Sequence, residues 1–216
     1  DGLWAAGSGR RDRGNIGMKW WGWGEYGKSF PVADKPTLWP WIRDRLGLVD
    51  GPLRPPVDRE RLEMPAPQRA EGFCDALAAV LAPGQISDEA DARLHRCYGK
   101  SYPNLLDARA GLIRRAPDLV VWPRSDADVE HIVALAQAHD VCLVPFGGGT
   151  NIVGGVDPRP GETRMVVSLD MRQMNALVSV DRHAMVAVIE AGATGPKIEA
   201  DLAAHGLSLG HFPDSF

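Results

Sequence analysis

The segment from Val144 to Gly155, VPFGGGTNIVGG, sets three consecutive glycines and a threonine directly after a short apolar run, with two further glycines at 154 and 155. Glycine lets backbone amides approach an anion closely and adopt positive φ values that side chains resist, so such a run at a strand end suits a phosphate. Two familiar phosphate loops do not fit. The Gly-Lys-Ser/Thr ending of a P-loop is absent, and Ile152 stands where a dinucleotide fingerprint needs its third glycine. The continuation NIVGGVDPRPGET carries Gly154, Gly155, Pro158, Pro160 and Gly161, which leaves no helix of useful length to lend its dipole. A diphosphate held here must rest on loop amides and the Thr150 hydroxyl. From composition alone, a glycine-rich hairpin without a ligand is an equally good reading.

The elements around the loop alternate. PDLVVWP reads as a short buried strand, SDADVEHIVALAQAHD as an amphipathic helix, and VCLVPF as the strand that feeds the loop. Ser125 and Asp128 have the spacing of a capping box, and Val129, Ile132, Val133 and Ala136 are predicted to share the apolar face. Beyond the loop come the strands RMVVSLD, ALVSVD and AMVAVIEAG, then the helix GPKIEADLAAHG with Pro196 near its start and Gly206 past its end. This order predicts an α+β fold. Upstream, residues 68–115 predict three helices: RAEGFCDALAAVLA, SDEADARLHRCYG capped by Ser87 or Asp88, and NLLDARAGLIRR opening at Asn104. Residues 18–67, rich in Trp, Pro and Gly, predict an extended arm. Its Trp20, Trp21, Trp23, Trp39 and Trp41 are too many to leave in water, so the arm is expected to dock on this chain or on a partner. Residues 1–17 begin without methionine and are expected to be a non-native or structureless leader.

Global composition narrows the function. A net charge of -4 with no basic block gives no footprint for nucleic acid. Cys74, Cys97 and Cys142 are odd in number and widely spaced, which encodes neither a disulfide framework nor a zinc site. No apolar run reaches the roughly 20 residues that span a bilayer, so a cytoplasmic protein is expected. His95, His131, His139, His183, His205 and His211 show no metal-ligand spacing.

Taken in order, the motifs PDLVVWP, PFGGGTNIVGG, VVSLD, VIEAG and GHFPDS resemble the FAD-binding domain of the vanillyl-alcohol oxidase/p-cresol methylhydroxylase flavoproteins. With MKWWGWG and GKSYPNLLDARAG they are most similar to bacterial relatives of alkyldihydroxyacetonephosphate synthases. The resemblance covers the chain from about Met18 and implies that residues 116–216 are the N-terminal part of such a domain, with FAD between two α+β subdomains. It further implies cofactor contacts from Pro145, Phe146, Gly147, Gly148, Gly149, Thr150 and Asn151, and from a second loop at Pro213, Asp214 and Ser215. For Glu190, Ala191 and Gly192 a strand end and tight turn is as good a reading as cofactor contact. His211 is kept as a neighbour of the second loop. Many members attach the flavin covalently through a histidine in the glycine loop; Gly149 stands at that place, so the implied FAD is non-covalent. No residue is assigned a catalytic role, because the family's cap and later flavin segments are not in this sequence, which is expected to be a fragment that is inactive alone. The intact protein would act on a small-molecule or lipid-precursor substrate, either forming an ether lipid from acyl-dihydroxyacetone phosphate and a fatty alcohol or oxidising a hydroxy acid of the D-lactate or glycolate type. A non-catalytic binding module is the third reading. Peripheral membrane contact and a homodimer are left open.

Overall fold

The computed structural model describes residues 18–26, 33–48, 55–159 and 161–213. The leader at 1–17 and the positions Asp214 and Ser215 lie outside the described residues. A mixed α+β architecture is observed, with the elements α1 (Leu38–Leu46), α2 (Glu71–Val80), β1 (Ile86–Ser87), α3 (Ala90–Leu94), α4 (Tyr102–Arg109), β2 (Leu119–Val121), α5 (Asp126–Ala138), β3 (Cys142–Phe146), β4 (Val166–Asp170), β5 (Leu177–Asp181), β6 (Val186–Ile189) and α6 (Gly195–Ala203).

Two sheets organise these elements. The larger has the order β1-β2-β4-β3, with β2, β4 and β3 parallel and β1 antiparallel at the edge. Its central valines Val120, Val121, Val166 and Val167 are fully buried, as expected for short apolar strands covered on both faces. On one face, Phe73 and Leu77 of α2 meet Ile132 and Ala136 of α5 over Leu119, Val121, Val167 and Leu169. Each of these large side chains contributes about 1.5–3 kcal/mol by leaving water. The second sheet is the antiparallel pair β5–β6, with a register shift between Leu177 and Ser179.

Local chemistry sets the helix ends. Ser125 Oγ accepts the Asp128 amide at 3.2 Å and starts α5, while the Asp128 carboxylate accepts the Arg124 amide at 2.8 Å and the Gln85 side chain at 2.8 Å. The capping pair is therefore real, but its return bond goes one residue upstream of the cap. Val133, expected on the apolar face of α5, is 46% exposed; half-buried Leu135 packs against the core instead. The third upstream helix opens at Tyr102, not Asn104, because Ser101 Oγ caps it by accepting the Asn104 amide and Pro103 is tolerated in its first turn. Neither Ser87 nor Asp88 is the N-cap of α3; Glu89 holds that position, and Ser87 Oγ accepts the Glu89 amide.

The expected extended arm is not uniformly extended. Leu38–Leu46 is helical and ends at Gly47 in the left-handed region, φ 60°. Thr37 and Pro40 near its start and a glycine after its end are the helix signals that tryptophan richness obscured. Met18 to Glu25 forms a small hairpin closed by a Met18–Glu25 bridge and the Lys19 amide to Gly24 carbonyl bond of 3.0 Å. This hairpin docks on the chain itself: Trp20 is buried among Leu94, Cys97, Ala108, Ile113 and Ala116. The Arg109 guanidinium lies 5.0 Å from the centroid of the Trp21 ring. Trp23, Trp39 and Trp41 remain exposed.

Candidate functional site

The parallel strands β2, β4 and β3 end side by side at Val121, Asp170 and Phe146, and the glycine loop leaves from this edge. In open parallel sheets the carboxyl ends of the strands are where ligands collect. Beneath the loop lies a polar platform. The fully buried Asp170 carboxylate accepts Arg96 Nε at 2.8 Å, Arg96 Nη2 at 2.6 Å, Trp122 Nε1 at 3.0 Å and Arg172 Nε at 2.9 Å. Burial pushes the Asp170 carboxyl upward, but the Arg172 hydrogen bonds and the charges of Arg96 and Arg172 outweigh it and hold it below the usual carboxylate value. The Arg96 and Arg172 guanidinium carbons stand 5.6 and 5.2 Å from the Phe146 ring centroid, so the phenyl is wedged in cationic surroundings.

That ring explains one glycine. Gly149 has φ +70°, and a Cβ there would sit 2.6 Å from Phe146 Cζ. Gly148 is different: it is exposed, and a Cβ would meet only Thr150 Cγ2 at 3.8 Å. At Gly147 a Cβ would meet only the Ala191 carbonyl oxygen, also at 3.8 Å. Among the described residues no acceptor pairs with the backbone amides of Gly147, Gly148, Gly149 or Thr150, nor with the Thr150 hydroxyl. A surface with consecutive unpaired amides and no side chain over them is a cradle that a Cβ would fill, and its chemistry fits the oxygens of a diphosphate.

The second half of the loop is bonded to the protein. Asn151 Oδ1 accepts the amides of Val153 at 3.0 Å and Gly155 at 2.7 Å, and its carbonyl accepts the Lys100 amide at 2.7 Å. Asp157 Oδ1 accepts the Gly99 amide and Asn104 Nδ2, both at 3.1 Å. Gly99 is required by this contact, since a Cβ there would collide with the Asn151 carbonyl. The segment CYGKSYPN thus clamps the loop, a role that no motif in the loop itself revealed; the glycine and serine of GKS were the available signal.

Of the other expected positions, Pro145 is exposed on β3, and Phe146 is 2% exposed with its ring under the loop. Glu190 accepts the Ala176 amide at 2.7 Å, and the Gly192 amide bonds the Met174 carbonyl at 2.9 Å. A Cβ at Gly192 would collide with the Met171 carbonyl, so this stretch is a tight strand end that also brings Ala191 to Gly147. Pro213 is half-buried and His211 exposed. Among the described residues no His, Cys, Asp and Glu group could hold a metal ion, and no helix is long and apolar enough to cross a membrane.

Residues 117–216 match the family model described as FAD binding domain. An alkyldihydroxyacetonephosphate synthase of Trypanosoma brucei brucei is 39% identical over 92% of this chain, which spans 36% of that relative's length. A solved structure of an alkyldihydroxyacetonephosphate synthase superposes with a TM-score of 0.81 at 36% identity, covering 93% of this chain and 41% of that one. The mitochondrial cytochrome-linked D-lactate dehydrogenase of Kluyveromyces lactis is 28% identical over only 45% of this chain and 17% of its own. With the open amides at the strand ends and these likenesses together, residues 117–216 are assigned to the FAD binding domain family, and FAD is the cofactor of that domain.

Proposed function

We propose that this chain is the diphosphate-holding part of a flavoenzyme of the alkyldihydroxyacetonephosphate synthase type, which replaces the acyl group of acyl-dihydroxyacetone phosphate by a fatty alkoxy group. The observation that carries the reading is the run of unpartnered amides at Gly147–Thr150 in a chain whose likeness to a synthase extends over its arm and helical segment as well. FAD, when bound, supplies the reactive ring system, and the protein supplies binding and orientation. Gly147, Gly148, Gly149 and Thr150 receive the diphosphate through backbone amides, Pro145 and Phe146 present the loop, and Asn151 holds its far side. Pro213, Asp214 and Ser215 are proposed as a second contact. With glycine at 149 the loop offers no histidine to bond the flavin, so attachment is non-covalent.

The full-length natural protein tests this directly. Exchange of labelled fatty alcohol into acyl-dihydroxyacetone phosphate is the expected activity, with flavin released intact by heat or acid. Bleaching of the flavin by D-lactate or glycolate without such exchange would replace the reading by hydroxy-acid oxidation. A colourless protein would leave only a non-catalytic binding module.

A further inference from the structure

Next to the open half of the loop lies a hollow lined by Lys19, His95, Tyr98, Lys100, Gly148 and Gly149. Lys100 is half-buried, its amide is bonded to the Asn151 carbonyl, and its ammonium donates to the Lys19 carbonyl at 2.9 Å. No carboxylate pairs with that ammonium among the described residues. Its titratable neighbour Cys97 is a fully buried thiol pushed up to about 12 by desolvation, hence neutral at physiological pH. Burial also lowers the Lys100 ammonium from its ordinary value, as expected for a cation taken from water without a counter-charge. The carboxylate bonded to the clamp, Asp157, is turned to the Gly99 amide and Asn104, and Asp107, three residues past the clamp, pairs with Arg114. The resulting hollow therefore combines a partly desolvated cation with unpaired amides of the same loop, which is half of an ion pair.

We propose that Lys100 is a cofactor-binding residue whose ammonium pairs with the diphosphate of the dinucleotide seated on Gly147–Thr150, and that the N-terminal hairpin positions it through the Lys19 carbonyl. The inference rests on the glycine-loop reading above and adds a charged partner from outside the FAD binding domain match, which begins at residue 117. Amides alone bind a diphosphate by dipoles; a fixed ammonium supplies formal charge and a charge-assisted bond. It also gives the Trp20 anchor a role, since that indole packs the hairpin against Leu94 of α3 and Ala108 of α4, the helices that flank Lys100.

The experiment uses the full-length protein stripped of flavin and titrated with FAD, with ADP and with adenosine. Replacing Lys100→Met should weaken FAD and ADP by about 10–100-fold and leave adenosine unchanged, whereas Lys100→Arg should stay within about threefold of the original. The flavin-free Lys100→Met protein should melt at or above the original temperature, because an unpaired half-buried charge has been removed; this shows that weakened binding is not misfolding. Gly148→Val serves as the control for the loop itself. If Gly148→Val loses FAD while Lys100→Met binds FAD and ADP normally, the lysine assignment is overturned and the loop reading stands. If Gly148→Val keeps FAD, the loop reading falls and the lysine assignment with it.

Discussion

The two halves of one glycine-rich loop behave oppositely. From Gly147 to Thr150 the backbone amides have no partner among the described residues, while from Asn151 to Asp157 the chain is tied down by its own side chains and by Gly99, Lys100 and Asn104. Composition does not separate them, since both are rich in glycine. Their hydrogen bonds do. Glycine at 149 relieves a clash with Phe146 and at 155 makes room for Asn151, whereas glycine at 148 relieves no clash within the chain. A glycine that the fold does not need is the one to associate with a ligand.

The largest test removes the platform under the open half. Asp170→Asn leaves the Arg96 and Arg172 guanidiniums without their buried counter-charge and should cost about 3–5 kcal/mol in urea denaturation at neutral pH. The same residue predicts a pH dependence. Its folded value is depressed by the two arginines, so its contribution is complete above the ordinary carboxyl value of about 4 and is lost as pH falls through the folded value. The gap between the original protein and Asp170→Asn should therefore narrow on acidification to about pH 3. A gap that widens there would contradict the platform.

Gly99→Ala forces a methyl against the Asn151 carbonyl and should destabilise by about 1–3 kcal/mol, with flavin retention falling because the wired half can no longer hold the open half in place. Asn151→Ala leaves the Val153 and Gly155 amides to solvent and should cost about 1 kcal/mol, read as a small drop in melting temperature. Gly148→Val is the smallest in stability and the most informative. The melting temperature should move by less than the equivalent of about 0.5 kcal/mol, as for a surface change, while flavin content collapses. If Gly148→Val and Gly99→Ala unfold alike, the contrast between the halves is lost.

Much of the frame was legible from pattern. The strands PDLVVWP, VCLVPF and RMVVSLD announced themselves by short apolar runs, and α5 and α6 by a serine cap and by Pro196 with Gly206, because these signals act within a few residues. Val133 was misplaced since helical periodicity names a face and not where the cover of that face ends, and Val133 lies 46% exposed. α1 was missed because tryptophan and proline weighed against a helix that buries none of its residues. For the site, the glycine run was visible, but the clamp from Gly99, Lys100 and Asn104 was not, since those residues are about fifty positions upstream and no local rule brings them to Asn151.

By itself the sequence determined where the backbone is bare and which short segments become strand or helix, since propensity, capping and the absence of a Cβ are properties of neighbours along the chain. Only the tertiary structure decided which bare amides stay unpaired, that Phe146 turns under the loop, and that a lysine without a carboxylate stands beside it. The reason is physical: satisfaction of a polar group depends on who lies within about 3 Å of it, and that neighbour is chosen by packing, not by sequence distance.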